Sequence, residues 1–242
     1  MIFQLDGTPA DTPFPDPMLA EREPDGLLAI GGDLACTRLL HAYRQGIFPW
    51  YGEGQPLLWW SPDPRTLLYP ERVHVSRSLQ RRLRKGGLVL RLDRAFEQVT
   101  AACAAPRRGQ DGTWLLPEMR DAYAELHRAG HAHSIELWQA DRLVGGLYGV
   151  AVGRVFFGES MFSGIPDASK IVMVYLAELL ARHDFAFLDC QVFNPHLARM
   201  GAIEVPRARF LRELHQATAG AAPAAAWREP PVTCDQLQHA QP

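Results

Sequence analysis

The sequence predicts a two-part α/β (α+β) protein: a small N-terminal domain over residues 1–64 and a larger mixed-sheet domain over residues 65–242. Three observations predict it. The first sixty residues are rich in turn formers and aromatics and leave room for one helix. Helical spacing of apolar residues then gives way, near His133, to the two-residue period of strands. Three such runs are followed by a helix and one further apolar strand, an order that implies a parallel strand pair joined by a right-handed crossover. With 242 residues, 47% of them apolar, the chain can bury a sizeable core.

The elements follow in order. Phe14-Pro15-Asp16-Pro17 and Gly31-Gly32-Asp33 mark turns, and Thr37 to Gln45 sets Leu39, Leu40 and Tyr43 on one helical face before Gly46. Up to Trp60 the remainder reads as loop. Ser76 is placed to cap a basic helix that runs to Lys85 and closes at Gly86-Gly87. Leu88 to Leu92 is a strand. Asp93 is placed to cap the next helix, on which Phe96, Val99 and Cys103 recur, and Pro117 opens another that ends at Gly130. His133 to Trp138, Leu143 to Val152 and Arg154 to Met161 form an antiparallel meander. A helix over Ala168 to His183, a strand over Phe185 to Cys190, a short helix over Pro195 to Met200, a strand over Ile203 to Val205 and a helix from Arg207 to about Ala217 complete the core. The Ala-rich segment after it and the C-terminal tail are expected to be loosely ordered. This order matches the GCN5-related N-acyltransferase type, in which the parallel pair splays apart and donor and acceptor meet in the gap. By that analogy the flanking strands end at Glu159 and Asp189.

Composition excludes several classes. Cys36, Cys103, Cys190 and Cys234 lie far apart, so neither a zinc ribbon, a CxxC redox motif nor a disulfide scaffold is expected. The N-terminus lacks the basic and apolar regions of a signal peptide, and no apolar stretch is long enough to span a bilayer, so a cytoplasmic location is expected. The net charge of −2 conceals a basic run from Arg65 to Arg94, in which nine Lys/Arg face only Glu71 and Asp93. Such a run is either a solvated helix face or a footprint for a phosphate backbone.

Two acids and an amide are the first candidates for chemistry. Glu159 ends one apolar strand, and Asp189 and Gln191 end its neighbour, a convergence that suggests a polar pocket. Strict alternation turns Asp189 and Gln191 to one side and Cys190 to the other, which makes Cys190 a packed thiol rather than a nucleophile. Ser160 is set aside on the same ground. His131 and His133 read as solvated or hydrogen-bonded, and Gly145-Gly146 as a bulge or a close approach. Among the aromatics interleaved with basic residues, Trp59 and Trp60 read as interface plugs, whereas Trp50 and Trp114 are candidates for stacking on bases.

Ordered blocks then carry a resemblance. Arg22-Glu23-Pro24-Asp25-Gly26-Leu27-Leu28-Ala29-Ile30-Gly31-Gly32-Asp33-Leu34, Gly46-Ile47-Phe48-Pro49-Trp50, Trp59-Trp60-Ser61-Pro62-Asp63-Pro64-Arg65, Gly130-His131-Ala132-His133-Ser134-Ile135-Glu136, Gly145-Gly146-Leu147-Tyr148-Gly149, Gly158-Glu159-Ser160-Met161-Phe162-Ser163 and Asp189-Cys190-Gln191 occur in sequence from about residue 14 to residue 210. Each is short; the ordered set resembles the leucyl/phenylalanyl-tRNA–protein transferases. The resemblance implies transfer of Leu or Phe, with Met as a further candidate, from aminoacyl-tRNA to the α-amino group of proteins beginning with Arg or Lys, marking them for N-end-rule degradation. An aminoacyl ester is already activated, so no cofactor and no metal is expected. It further implies a catalytic group of Asp189, Gln191 and Glu159. Gln191 would orient the amine through its carbonyl, Asp189 would polarise the network or take the proton, and Glu159 would hold the acceptor's cationic end or support the network. Leu147, Phe156, Met161, Met173, Leu176 and Leu188 would line the aminoacyl pocket. Trp50 and Trp114, assisted by Tyr43 and Tyr123, would grip the terminal adenosine, and Arg77, Arg81, Arg82, Arg84 and Lys85 would hold the acceptor stem. Leu147 and Phe156 stand where other members carry Met or a smaller residue, which bears on the ranking of donors. The chain is expected to act as a monomer, away from membranes.

Three other readings compete with this one. An acyl-CoA N-acyltransferase would carry a Gly-rich pyrophosphate loop between meander and helix; Ser163-Gly164-Ile165-Pro166-Asp167-Ala168-Ser169-Lys170 is not one. A peptidoglycan-bridge transferase would require a lipid-linked acceptor, and a silent tRNA-binding module is opposed by Asp189 and Gln191.

Overall fold

The structure, a computed structural model, describes residues 2–106 and 115–240. Its first part is a small four-stranded sheet, order β1-β2-β4-β3, built from β1 (Phe3–Gln4), β2 (Leu27–Ile30), β3 (Phe48–Pro49) and β4 (Leu58–Trp60), with helix α1 (Cys36–Arg44) packed beside it. Two- to four-residue strands are too short to show alternation, so sequence periodicity reads them as loop. Trp59 is fully buried, donates its indole N–H to the Gly31 carbonyl at 2.9 Å and meets Phe14 edge-on, which makes it a plug.

The second part is an eight-stranded mixed sheet, order β11-β5-β10-β9-β8-β7-β6-β12. Its elements are β5 (Arg65–Leu68), α2 (Arg77–Arg84), β6 (Val89–Leu92), α3 (Phe96–Ala104), α4 (Pro117–Arg128), β7 (Ala132–Gln139), β8 (Arg142–Val152), β9 (Val155–Ser163), α5 (Ala168–Arg182), β10 (Phe187–Gln191), α6 (Pro195–Ala198), β11 (Ile203–Val205), α7 (Arg207–Ala217) and β12 (Val232–Thr233). The meander β7-β8-β9, the crossover helix α5 and the parallel strand β10 occur as expected. One core lies on the α1, α3, α4 and α7 face of the sheet, the other beneath α2, α5 and the C-terminal segment. Strand β5 was not foreseen. All four of its residues are buried, and Arg65 disguises it as part of the basic run.

Two further expectations are corrected. The C-terminal segment is docked rather than loosely ordered: β12 pairs with β6, Ala226, Cys234 and Leu237 are buried, and Trp227 stacks on His133 with ring centroids 4.0 Å apart. An Ala-rich composition hid these few large anchors. Asp93 does not cap α3. Its carboxylate is taken by His133 Nδ1 at 2.7 Å and the Ser134 N–H at 2.8 Å, whereas buried Glu136 accepts the Arg94 and Ala95 N–H groups at the start of that helix. Ser76 does cap α2, accepting from the Leu79 N–H.

Candidate active site

The parallel ladder between β9 and β10 runs only from Val155–Phe187 to Phe157–Asp189, after which β9 continues with β8 alone. The two strands therefore fork. A bulge marks each arm. On β9, pairing with β8 steps from Gly149–Gly158 to Tyr148–Ser160, leaving Glu159 as the extra residue. A Cβ at Gly149 would run into the Phe157 carbonyl oxygen and the Phe156 ring, so the tight step requires glycine there. On β10, pairing with β5 steps from Asp189–Leu67 to Gln191–Thr66, and Gln191 adopts a left-handed φ of 64°.

A cleft of about 410 Å³ opens through the fork. Leu147, Met161, Met173 and Leu188 form an apolar wall on the α5 side. Phe48, Pro49 and Trp50 from the N-terminal part also line the cleft, together with Glu159 and Gln191. Trp50 is 47% exposed there, and Val192 and Phe193 are exposed at the mouth.

Glu159 is half-buried and held by neutral donors. Tyr43 Oη donates to its Oε1 at 2.8 Å, Gln191 Nε2 to the same oxygen at 2.9 Å, and Tyr123 Oη to Oε2 at 2.7 Å. The two tyrosine hydroxyls are themselves 2.7 Å apart. Removal from water pushes the Glu159 carboxyl up to about 7, and Asp189 adds to the rise; the three donors oppose it. Burial, with the Glu159 charge nearby, raises Tyr43 and Tyr123 far above the usual phenol range, so both remain donors. Because a carboxylate only accepts, it turns the Gln191 amide nitrogen toward itself and leaves the Gln191 carbonyl for another donor.

Asp189 is arranged otherwise. It is fully buried and lies outside the cleft lining. Arg65, equally buried, donates Nε to Oδ1 at 2.8 Å and Nη2 to Oδ2 at 2.6 Å, and the Gln191 N–H donates to Oδ1 at 2.9 Å. A direct proton-taking role for Asp189 is thereby corrected: its oxygens face Arg65, not the cleft. Alternation does hold from Leu188 to Cys190, but it puts Leu188 and Cys190 on the cleft and Asp189 behind it. Gln191 rejoins the cleft because its left-handed turn breaks the period. Cys190 thus lines the cleft, contrary to expectation, and burial raises its thiol far above the usual range, which keeps it protonated.

Other assignments divide. Phe156 and Leu176 do not line the cleft. Phe156 pairs with Leu188 where the strands are still joined, and Leu176 lies nearly one turn beyond Met173 on α5; both are fully buried. Tyr43 and Tyr123 have no exposed face on which a base can stack, and their hydroxyls are engaged with Glu159, so they are corrected from adenosine contacts to supports of that acid. Glu159, whose donors are two phenols and an amide, belongs to this hydrogen-bond network, which fits the network-supporting alternative. Trp114 lies outside the described residues. Gly145 answers to packing rather than to a ligand: a Cβ there would come within 2.7 Å of the Ala168 Cβ at the start of α5. Helix α2 buries Leu79 and Leu83 and exposes Arg77, Arg81, Arg84 and Lys85, with Arg82 half-buried. The basic run is not one surface, since Arg65 is internal, Arg72 lies over Tyr69 and Arg91 over Trp138.

Sequence reasoning missed Arg65 and the Phe48-Pro49 lining of the cleft. The available signal for Arg65 was chemical. A cation opening the strand-like run Thr66-Leu67-Leu68 needs a buried acid partner, and Asp189 sits in another apolar strand.

Comparison with known proteins gives a consistent answer. Residues 67–215 match the family model described as leucyl/phenylalanyl-tRNA protein transferase, and residues 32–63 match that of its N-terminal domain. The leucyl/phenylalanyl-tRNA–protein transferase of Anaeromyxobacter sp. (strain Fw109-5) is 60% identical over 89% of this chain and 90% of its own length. That of Nitratidesulfovibrio vulgaris (strain DP4) is 57% identical over 90% and 92%. Among solved structures, L-PGS from Bacillus licheniformis aligns at 11% identity with a TM-score of 0.39, covering 69% of this chain and 54% of that one.

Proposed function

The chain belongs to the leucyl/phenylalanyl-tRNA–protein transferase family, the aminoacyltransferases of the N-end rule, and from that membership we propose how its residues divide the reaction. The substrates are an aminoacyl-tRNA carrying Leu or Phe, with Met a third donor, and a protein whose N-terminal residue is Arg or Lys. The observation that carries the reading is the cleft through the strand fork, where an apolar wall meets the Glu159–Gln191 pair.

The donor side chain lies against Leu147, Met161, Met173 and Leu188, a flexible wall with two sulfurs that suits apolar side chains unbranched at Cβ, such as Leu, Phe and Met. The incoming α-amine donates one N–H to the Gln191 carbonyl, which aims its lone pair at the ester carbon. A C–N bond forms and the ester C–O bond to the ribose breaks. The amine's proton passes to Glu159 and then to the departing ribose oxygen. A carboxyl near 7 matches both steps, since it is ionised often enough to accept and acidic enough to return the proton. Trp50 stacks on the terminal adenosine, aided by Trp114, and Arg77, Arg81, Arg82, Arg84 and Lys85 hold the acceptor stem. We assign the division of the chain near Pro64, on the grounds that the small sheet ends at Trp60 and β5 begins at Arg65. The enzyme works as a cytoplasmic monomer.

The direct test mixes the protein with leucyl-tRNA labelled in the leucine and a peptide beginning with Arg. Label should reach the peptide's N-terminus, and transfer should collapse in Gln191→Ala. Label reaching only peptides that begin with Asp or Glu would refute the acceptor assignment, and a CoA-dependent product the donor assignment. Reversing charge at Arg81, Arg82 and Arg84 should weaken tRNA binding and flatten its salt dependence; unchanged binding would make α2 a solvated face only.

A further inference from the structure

We propose that Arg65 is a positioning residue for aminoacyl transfer, the anchor that sets Gln191 through Asp189. The proposal deepens the reading above and rests on Gln191 acting in the cleft.

Four contacts connect in series. The Arg65 guanidinium lies 4.8 Å from the Phe48 ring centre and 4.6 Å from that of Phe210, so two aromatic rings fix its plane. Held there, it meets Asp189 through two parallel hydrogen bonds of 2.8 and 2.6 Å, a geometry that fixes the carboxylate in position and in rotation. Asp189 Oδ1 in turn accepts the Gln191 backbone N–H at 2.9 Å. Gln191 stands at φ 64°, a conformation that a non-glycine residue keeps only where its surroundings over-determine it. Its side chain then reaches Glu159 at 2.9 Å.

The pairing has a second consequence. Phe48 both covers the guanidinium and lines the cleft beside Trp50, so the anchor packs directly behind the cleft lining. A wholly buried ion pair is poorly explained by stability alone, because an apolar pair of similar volume often serves a fold as well or better. What an apolar pair does not supply is an acceptor for the Gln191 N–H. Lysine does not replace the arginine either, since its single ammonium has no fork to match both carboxylate oxygens.

The experiment uses three variants of the full chain: Arg65→Lys, the double replacement Arg65→Met with Asp189→Leu, and Gln191→Ala. Thermal unfolding monitors folding, and steady-state transfer from leucyl-tRNA to an Arg-initiated peptide is followed as kcat and KM over pH. The double variant should unfold within a few degrees of the parent and keep its KM for leucyl-tRNA within about threefold. Its kcat should fall by roughly a hundredfold through misplacement of Gln191, with the pH inflection displaced. Arg65→Lys, which keeps a charge and is the milder change should the double variant not fold, should lose kcat about tenfold at nearly constant KM. Parental kcat in a folded double variant, or in Arg65→Lys, overturns the proposal while leaving the role of Gln191 intact. An active Gln191→Ala enzyme overturns that role and the anchor together.

Discussion

Each arm of the strand fork carries an acid, and the fold treats the two acids in opposite ways. On the β10 arm, Asp189 is sealed behind the cleft and its charge is matched by Arg65. On the β9 arm, Glu159 lines the cleft and is held by three neutral donors, two phenols and an amide. A matched charge in a buried fork is rigid and suits a framework. A charge held only by neutral donors, and pushed up to about 7, remains able to gain and lose a proton near neutrality. The arms thus separate geometry from proton transfer.

The largest effect should come from unbalancing the framework. Arg65→Ala leaves Asp189 buried without its cation, which should cost about 3–5 kcal/mol of unfolding free energy in denaturant titrations at pH 7.5. Glu159→Gln should cost far less. The Glu159 carboxyl is raised from 4.5 to about 7, so its protonation favours the folded state. That contribution is fully present below about pH 4.5 and is lost as pH rises through about 7, whereas a glutamine has no charge to desolvate. Comparable losses in the two variants at pH 7.5 would erase the contrast between the arms.

The next effect concerns rate. Transfer needs Glu159 ionised and the substrate's α-amine neutral, so the acid limb of kcat/KM should contain two ionisations, one near 7 and one at about 8 for the amine. Glu159→Gln should lower kcat/KM roughly a hundredfold and leave only the amine's ionisation, turning a limb of slope two into one of slope one. A variant slowed by the same factor but still showing both ionisations would move the proton acceptor elsewhere.

How far the sequence revealed this arrangement depends on which residues are considered. The meander, the crossover helix and the strand after it were legible because apolar period changes where the backbone changes, and the convergence of Glu159 with Gln191 follows from strand order. The face of Asp189 was not legible. A bulge on each arm and one left-handed residue break the two-residue period at the site itself, where alternation is most needed. Arg65 was hidden for a different reason: a buried arginine and a surface arginine are the same letter, and only a partner from a distant strand tells them apart. Likewise Trp227, Cys234 and Leu237 dock a tail whose composition resembles a linker, since a few large anchors carry little weight in an Ala-rich average.

The finest test of the contrast is Tyr43→Phe, which removes one neutral donor and nothing charged. The Tyr43 hydroxyl holds the Glu159 carboxylate at 2.8 Å and so counteracts the rise that burial imposes. Without it the carboxyl should rise further, by about half to one pH unit, since a single hydrogen bond to the charged form is lost while Tyr123 and Gln191 stay. At pH 7 fewer molecules would hold Glu159 ionised, and kcat/KM should drop about twofold to fivefold. Above about pH 8.5 the deficit should vanish, because Glu159 is then ionised in both enzymes. A deficit of the same size at every pH would mean that Tyr43 shapes the cleft rather than the acid. The neutral arm would then be as rigid, and as indifferent to protons, as the arm that Arg65 holds.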